Sequence, residues 1–378
     1  MKFRLLTPGP TPVPEDTLLE MAKPVHYHRT PEAKQMLAEV LDGVKYVFQT
    51  EHDVIPLTCS GTGAMEAALV NAVPRGGKAI SLFAGRFGER WHNLWKAYGV
   101  ESIAVTAPHG QAVRPEQLGK ALQEHPDAAA VSVVHSETST GVKHDIAAMG
   151  AMVAKTKAVL IVDGISATGA VECRTDAWGI DMLVTGSQKA LMLPPGLAFV
   201  SVSPRAWQKI DAHKAPAFYF DLKKYRSKLK ESDTPFTPAH TLVRALRLSL
   251  QKLRAEGIEN VWKRHARVAA AARAGFHAIG MEPFAHPPAE GVTAAEVPAG
   301  IDGKALTKKL EKQYGFKVAG GQDHLEGKIV RLGHMGYIDF FDVLGALAGF
   351  ELVLAEMGHK VEPGTAVAAA QRTYAKGA

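Results

Sequence analysis

The chain has little cysteine and no long apolar run, and each shortage excludes a class of protein. Its 378 residues include two cysteines, Cys59 and Cys173, which lie too far apart in sequence for a metal knuckle or a redox pair. No stretch approaches the roughly eighteen uninterrupted apolar residues that cross a membrane. Prolines also interrupt the N-terminal MKFRLLTPGPTPVP before a signal peptide could form. We therefore expect a cytoplasmic protein with no membrane partner, in which both cysteines are small buried residues.

The chain also lacks a strong excess of one charge. Its formal net charge is +6 and its pI is near 9.1, and the Lys and Arg residues are spread along the sequence. The densest basic run, KKYRSKLK at 223–230, favours a solvated helix face or loop over a nucleic-acid patch. We expect no nucleic-acid partner, and the mild positive charge fits a site for anionic small molecules.

The length predicts two domains, because a single core of ordinary size does not fill 378 residues. Residues 1–15 form a proline-rich arm, which must pack on other residues to be ordered. Residues 16–256 would form a large domain, and residues 257–378, after a break at Gly257, a smaller α/β domain. Thr30 is a predicted N-cap for a helix that ends at Phe48. An apolar stripe that begins at Val261 and ends at Ile279 predicts a second long helix.

Short β-rich runs alternate with helices throughout the large domain. Several of these runs, such as AVLIV, are apolar almost throughout, which is typical of strands covered on both faces. The alternation predicts an α/β fold with a mostly parallel sheet, whose ligands bind at the carboxyl ends of the strands. The predicted strands are 54–58, 79–83, 102–105, 128–135, 158–162, 182–185 and 197–202.

The turn after the first of these strands reads CSGTG at 59–63 and precedes a helix-forming run, AMEAALVNA. Free N–H groups at the start of a helix, together with Ser and Thr hydroxyls, suit a phosphate. The turn lacks the Lys of a P-loop and does not match G-x-G-x-x-G. Taken alone, it is equally compatible with a simple helix cap.

Two ionisable residues follow later strands of the same sheet. Asp163 ends the run AVLIV, where a carboxylate is costly unless it meets a positive partner such as a protonated pyridinium nitrogen. Lys189 follows the strand MLVT within GSQKALMLPPG at 186–196, and partial burial there would lower its pKa and let it act as an amine nucleophile. Taken separately, Asp163 could cap a loop and Lys189 could be a structural residue.

A third polar loop, SETSTG at 136–141, follows the strand that ends at His135. Late in the chain, IVRLGHMG at 329–336 places Arg331 between apolar neighbours. Alternation along a strand would direct Arg331 away from the packed face of Val330 and Leu332. An arginine held in this way can bind a carboxylate with two parallel hydrogen bonds, although a structural salt bridge is the alternative.

A phosphate turn, a strand-end Asp and a strand-end Lys on one parallel sheet are the three anchors that pyridoxal phosphate needs. The chain resembles the class V aminotransferases of fold type I, in particular the serine–pyruvate, alanine–glyoxylate and serine–glyoxylate aminotransferases. The resemblance covers nearly the whole chain, because its motifs occur in family order. They are TPGPTPVP near the start, HRTPE at 28–32, SGTGAMEAA at 60–68, GRFGER at 85–90, HSETSTGV at 135–142, VDGIS at 162–166, TGSQKAL at 185–191, FTPAHTL at 236–242 and RLGHMG at 331–336.

The resemblance implies pyridoxal 5'-phosphate as the cofactor and assigns residues to its ring. Lys189 would bind the cofactor covalently, and Asp163 would pair with the pyridine nitrogen. Thr138 and Gln188 would approach the ring oxygen. Phe87 stands where the closest animal members have a Trp stacked on the ring; Phe still stacks, with less area and no N–H donor.

The resemblance also assigns residues to the phosphate and the substrate. The phosphate would be held by Ser60, Gly61 and Thr62. Thr237 would reach it from the partner subunit, so we expect a homodimer with shared active sites. Arg331 would bind the substrate carboxylate, with Gly9 close by. The implied reaction moves the amino group of a small amino acid, serine or alanine, to glyoxylate or pyruvate.

Several alternatives stay open at this point. An enzyme of the same class could use another donor, such as ureidoglycine or an aminophosphonate, although a phosphonate lacks the carboxylate that suits Arg331. A cysteine desulfurase needs a mobile nucleophilic Cys, and neither Cys59 nor Cys173 is well placed. A non-catalytic binding protein with this fold would be expected to lack the Lys or the Asp. His26 and His28 could bind a metal ion only with a third ligand.

Overall fold

The computed structural model describes residues 2–377, in which helices and strands alternate over most of the chain. The helices are α1 (Glu15–Met21), α2 (Pro31–Phe48), α3 (Gly61–Ala72), α4 (Arg86–Ala97), α5 (Pro115–Glu124), α6 (Ile146–Val153), α7 (Pro204–Asp211), α8 (Leu222–Leu229), α9 (His240–Glu256), α10 (Ile258–Ala278), α11 (Gly303–Tyr314), α12 (Phe340–Glu356) and α13 (Thr365–Lys376). The strands are β1 (Arg4–Leu5), β2 (Asp53–Leu57), β3 (Lys78–Phe83), β4 (Glu101–Thr106), β5 (Ala130–Val134), β6 (Ser136–Glu137), β7 (Val142–Lys143), β8 (Val159–Asp163), β9 (Met182–Gly186), β10 (Ala198–Val202), β11 (Val292–Glu296), β12 (Phe316–Lys317), β13 (Ala319–Gly320) and β14 (Ile329–Gly333).

Seven strands form the central sheet, in the order β2-β10-β9-β8-β5-β3-β4. β10 is antiparallel to both of its neighbours, and the remaining neighbouring pairs are parallel. Each of the seven predicted strand segments forms one of these strands, so the predicted α/β fold with a mostly parallel sheet is confirmed. Because β2, β5, β8 and β9 run in the same direction, their carboxyl ends share one edge of the sheet.

Alternate residues of the buried strands face two different helical layers. In β8, Leu160 and Val162 pack in an apolar cluster with residues of α2 and α9. Val159 and Ile161 of the same strand pack in a second cluster with residues of α3 and α4. This covering on both faces explains why the run AVLIV is apolar throughout.

Both long helices predicted from the sequence are present, as α2 and α10. Thr30 caps α2, because its side-chain oxygen accepts a hydrogen bond from the N–H of Ala33 at 3.2 Å, and proline follows at the first helical position. In α10 the predicted stripe is buried, including Val261 and Phe276. Within residues 2–377, no helix is both long enough and apolar enough to cross a membrane.

The C-terminal part of the chain has its own sheet and core. Strands β11, β14 and β13 form an antiparallel sheet in that order, and α10 to α13 contribute to a third apolar cluster with residues of β14. Gly257 lies between α9 and α10 with a φ of 85°, a conformation that favours glycine. The division into domains at this residue stays a prediction.

The proline-rich arm packs on its own chain. β1 pairs in parallel with β12. Further along the arm, the N–H of Thr11 donates to the carbonyl of Gln188 at 3.1 Å, and its hydroxyl donates to the carbonyl of Lys189 at 2.9 Å. These contacts order the arm without a second subunit and bring Gly9 against the Lys189 side chain.

Candidate active site

The ends of β2, β8 and β9 meet around a cavity of about 310 Å³, a size within the usual range for small-molecule sites. Most of the predicted site residues line it, although they come from segments far apart in the sequence. Those residues are Gly9, Ser60, Gly61, Thr62, Phe87, Asp163, Gln188 and Lys189. Met65, Arg90, Ser136 and Ser166 also line the cavity.

The Gly/Ser/Thr turn leaves the start of α3 open for an anion. Ser60 is the N-cap residue, but its side chain makes no cap hydrogen bond with any described residue. The first N–H groups of a helix have no partner within the helix. A Cβ at Gly61 would lie 2.5 Å from Cδ1 of Ile165, so a larger residue here would displace that side chain. The turn therefore presents unpaired N–H groups at the positive end of the helix dipole.

Arg90 places a positive charge beside this turn. Its Nη1 donates to Oγ1 of Thr62 at 3.1 Å, which leaves the hydroxyl hydrogen of Thr62 available to a ligand. The guanidinium also lies 5.0 Å from the centre of the Phe87 ring. Arg90 thus supplies the cation that the turn itself lacks.

Asp163 is buried and oriented by two hydrogen bonds. Its Oδ1 accepts from the N–H of Ile165 at 2.9 Å, and its Oδ2 accepts from Nε1 of Trp91 at 3.2 Å. Burial raises the pKa of Asp163 to about 6, and these two hydrogen bonds oppose the increase. The carboxylate is therefore ionised at neutral pH, in a place where a positive partner would be stabilised.

Lys189 is half-buried and lines the same cavity. Its Nζ donates to the carbonyl oxygen of Pro8 in the arm. Burial lowers the pKa of Lys189 to about 8, Asp163 raises it and Arg331 lowers it further. An amine with this pKa has an appreciable neutral fraction near physiological pH, which a nucleophile or base requires.

Arg331 is held in a fixed orientation at the junction of two segments. Its Nη1 donates to the carbonyl of Thr138 at 2.9 Å, and its Nε donates to the carbonyl of Gly320 at 2.8 Å. Nη2 has no acceptor among residues 2–377, so a substrate carboxylate could bind there. Arg331 does not line the cavity itself, but its charge reaches Lys189.

Glu137 fixes the start of α4, which carries Phe87. Its Oε2 accepts from the N–H groups of Phe87 and Gly88 at 3.1 and 2.9 Å, and its Oε1 accepts from the N–H of Ser139 at 3.1 Å. The residue is fully buried and lies at the N-terminus of α4, where a negative charge is favoured. Burial raises the pKa of Glu137, and the hydrogen bonds oppose that increase.

Besides Arg331, two further predicted site residues do not line the cavity. Thr138 is buried and contributes its carbonyl to Arg331, whereas Ser136, two residues earlier, lines the cavity with an unpaired hydroxyl. Thr237 is exposed and borders a different, much smaller cavity. Within its own chain, Thr237 is not part of the site.

The sequence reasoning did not single out several residues that shape the site, among them Arg90, Trp91, Ser136 and Glu137. Arg90 ends the motif GRFGER and Trp91 follows it, and Ser136 and Glu137 lie in HSETSTGV. The motifs therefore indicated where these residues lie in the sequence, but they did not indicate which partner each side chain contacts.

The profile of the family Aminotransferase class-V matches residues 8–337, a span that includes the cavity and Arg331. The chain belongs to the class V aminotransferases. The resemblance stated from the motifs is thereby confirmed. As a member of this pyridoxal-phosphate-dependent family, the chain is a transaminase that transfers amino groups.

Relatives of this class V aminotransferase match it over nearly its whole length. It is 42% identical to a protein described as the small subunit of a soluble hydrogenase from Synechococcus sp., with 98% of both chains covered. It is 36% identical to the L-aspartate–glyoxylate aminotransferase of Paracoccus denitrificans, covering 98% of this chain and 96% of that one. It is 34% identical to the serine–glyoxylate aminotransferase of Arabidopsis thaliana, covering 99% and 95%.

A solved structure gives the same result for the fold. Ureidoglycine–glyoxylate aminotransferase from Bacillus subtilis is 30% identical and has a TM-score of 0.93, with 99% of this chain and 98% of that chain covered. The predicted fold class, a fold type I transferase, is confirmed.

The cysteines and histidines of this class V aminotransferase argue against a cysteine desulfurase and a metal site. Burial raises the pKa of the Cys59 thiol to about 12, which disfavours the thiolate that a desulfurase requires. Cys173 is buried as predicted, whereas Cys59 is only half-buried. Residues 2–377 contain no group of three or more His, Cys, Asp or Glu side chains placed to bind a metal ion, so His26 and His28 have no third ligand there.

The residues of the cavity fit the cofactor of the family. The uncapped start of α3 suits a phosphate. Ser136 and Gln188 each line the cavity with a buried oxygen that has no hydrogen-bond partner among the described residues. Asp163 and Lys189 supply an ionised carboxylate and an amine of lowered pKa.

Proposed function

We propose that this protein is a pyridoxal-phosphate-dependent aminotransferase that moves the amino group of serine or alanine to glyoxylate or pyruvate. The observation that carries the proposal is the joint presence of Asp163 and Lys189 in one cavity with the uncapped start of α3. These are the three anchors of the cofactor, and Arg331 lies next to them.

Each part of the cofactor has a residue suited to it. The phosphate would lie at Ser60, Gly61 and Thr62, with the charge of Arg90 nearby. Asp163 would accept the proton of the ring nitrogen, and Gln188 would face the ring oxygen, as we also propose for Thr138. Phe87 would stack on the ring face. When bound, pyridoxal phosphate supplies a covalent attachment point and an electron-accepting ring.

Lys189 would both hold the cofactor and move the proton. With a substrate amine in the site, Nζ of Lys189 would be free to act as a base and then as an acid. A pKa near 8 is close to the operating pH, which is where an acid–base group is most effective. The arm contributes as well, because the carbonyl of Pro8 keeps Nζ oriented within the cavity.

Arg331 and Gly9 would select the substrate. Because two backbone carbonyls fix the guanidinium, Arg331 can bind a carboxylate without first losing side-chain freedom. A Cβ on Gly9 would lie 2.2 Å from Nζ of Lys189, so glycine leaves room for the substrate. All amino acids and 2-oxo acids carry the required carboxylate, whereas an aminophosphonate does not.

The names of the relatives support small substrates, but the amino donors that they name differ. Glyoxylate is the acceptor in the names of the Arabidopsis, Paracoccus and Bacillus enzymes, and serine, aspartate and ureidoglycine are the respective donors. Ureidoglycine is therefore the second candidate donor. A non-catalytic protein is disfavoured, because both Asp163 and Lys189 are present.

The test is a panel of amino donors assayed against glyoxylate and pyruvate with the purified holoenzyme. We expect turnover with alanine or serine, together with a yellow protein. Activity restricted to ureidoglycine would make the second candidate correct. A protein that binds cofactor yet transfers no amino group from any donor would contradict the proposal.

We also propose a cytoplasmic homodimer with shared sites. Thr237 is exposed beside Phe236, whose ring lies 5.7 Å from that of Phe218. Phe218 is 74% exposed, which is unusual for an aromatic side chain and suggests a surface that a second copy covers. In such a dimer Thr237 would reach the partner's phosphate site.

A mixing experiment tests the shared site. Lys189→Ala and Thr237→Ala subunits should each be impaired. In a mixed dimer, one site receives both native residues, so activity should recover on mixing. No recovery, in a sample where mixed dimers are shown to form, would contradict the arrangement.

A further inference from the structure

A second arginine, Arg86, lies at the same junction as Arg331. The N–H of Arg86 donates to Oγ of Ser139 at 3.0 Å, and its Nη1 lies 3.6 Å from Oδ2 of Asp323. Ser139 is the residue after Thr138, whose carbonyl binds Arg331. The two arginines therefore connect the same two segments, the loop at 136–141 and the segment at 320–325.

The side chains of the two arginines differ in burial and in the strength of the contacts that orient them. Arg331 is 7% exposed and has two short hydrogen bonds to carbonyls. The Arg86 side chain is 47% exposed, and that of its partner Asp323 is 63% exposed. An exposed ion pair at such a distance contributes little to stability. A ligand carboxylate could therefore replace Asp323 at little cost.

Arg86 also lies near the cavity. It directly precedes Phe87, which lines the cavity, and its side chain lines a neighbouring surface pocket together with Asp323 and Arg90, which also lines the cavity. Burial lowers the pKa of Arg331 to about 10, Glu137 raises it and Arg86 lowers it further. Like charges repel, so a further anion near the two arginines would be stabilised. Among residues 2–377, Asp323 is the one carboxylate within ion-pair distance of Arg86.

We propose that Arg86 binds the distal carboxylate of a dicarboxylic amino acid, of the aspartate or glutamate type, while Arg331 binds the α-carboxylate. Asp323 then acts as an internal substitute that neutralises Arg86 when the substrate has no second carboxylate. The protein would accept both alanine-like and dicarboxylic donors. This inference rests on the proposed aminotransferase function and extends its substrate class.

The first test compares kcat/KM for L-aspartate and L-alanine in the holoenzyme. Arg86→Gln should lower kcat/KM for aspartate at least about tenfold, because it removes one charge-assisted contact, and should change that for alanine less than about threefold. Arg86→Lys should recover part of the loss. Asp323→Asn should raise kcat/KM for aspartate, because the competing carboxylate is gone. Arg254→Gln is the matched control, since Arg254 is similarly exposed and paired with Asp42.

The second test needs no turnover. Maleate, an unreactive dicarboxylate, should raise the Tm of the wild-type holoenzyme more than acetate does, and Arg86→Gln should abolish the difference. Equal losses for aspartate and alanine in Arg86→Gln would overturn the proposal, as would maleate binding that does not depend on Arg86. Wild type that uses alanine but neither aspartate nor glutamate would overturn it while leaving the aminotransferase proposal intact. Failure with every donor would contradict the aminotransferase proposal instead, and maleate binding would still decide the role of Arg86.

Discussion

Asp163, the last residue of β8, and Lys189, three residues after β9, lie at the floor of the cavity. By contrast, Arg331 and Arg86, at its rim, do not line the cavity and connect two separate segments. Asp163 is buried and Lys189 is half-buried, and their positions follow from neighbouring strands of one sheet. The rim residues depend on contacts between the loop at 136–141 and the segment at 320–325. The floor thus combines the groups that any amino donor needs, and the rim combines the groups that distinguish one donor from another.

This comparison gives a criterion for variants. A change at the floor should lower turnover for every donor by the same factor, because the cofactor chemistry is common to all of them. A change at the rim should alter kcat/KM and leave the cofactor bound. A floor variant whose loss of turnover differs strongly between donors would contradict this division between floor and rim.

The largest effect is expected for Lys189→Ala. Loss of the group that binds the cofactor and moves the proton should lower kcat on the order of 10⁴-fold for all donors. Borohydride should fix the cofactor on the Lys189 peptide of the wild type. Lys209→Ala, which removes a half-buried lysine of α7, is the control and should stay active. Label on another lysine, with Lys189→Ala still active, would contradict the assignment.

Asp163→Asn should have the next largest effect. Removing the charge leaves the ring nitrogen without a favourable partner for its proton, a loss of about 3–5 kcal/mol for a broken buried pair, or roughly 150-fold to 5,000-fold in kcat. The cofactor should remain bound, and absorption spectra should show it. Asp163→Glu keeps the charge and should recover part of the rate. Near-normal turnover of Asp163→Asn would refute the role.

The floor could be predicted from the sequence, and most of the rim could not. Asp163 and Lys189 were found because apolar runs identify buried strands, and parallel strands bring their ends together. Trp91 donates to Asp163 from 72 residues away, and Glu137 binds Gly88 from 49 residues away. Such contacts depend on how helices pack on the sheet, which no local pattern encodes. Arg331 was found from strand alternation, but the carbonyls that hold it lie on other segments.

Arg331→Ala tests the rim. The loss of a charge-assisted carboxylate contact should cost about 2–5 kcal/mol, and kcat/KM should fall for donor and acceptor alike, whatever the donor side chain. The cofactor absorption should be unchanged, because Arg331 does not line the cavity. Loss of cofactor in this variant would make Arg331 a structural residue and would weaken the proposed substrate class.

The smallest effect is expected for Phe87→Trp, at the boundary between floor and rim. Phe87 is half-buried and lines the cavity, and Glu137 fixes its backbone. Substitution by Trp should therefore enlarge the stacking area without moving the start of α4. Aromatic stacking contributes about 0.5–1.5 kcal/mol, so the Kd of the cofactor should fall about twofold to tenfold, with kcat nearly unchanged. Titration of the apo-protein with cofactor measures this Kd, and Phe87→Leu, which removes the ring, should raise it.

Weaker binding in Phe87→Trp alone would mean that Arg90, 5.0 Å from the Phe87 ring, leaves no room for the larger side chain. A Kd that responds to neither change would mean that Phe87 does not stack on the cofactor.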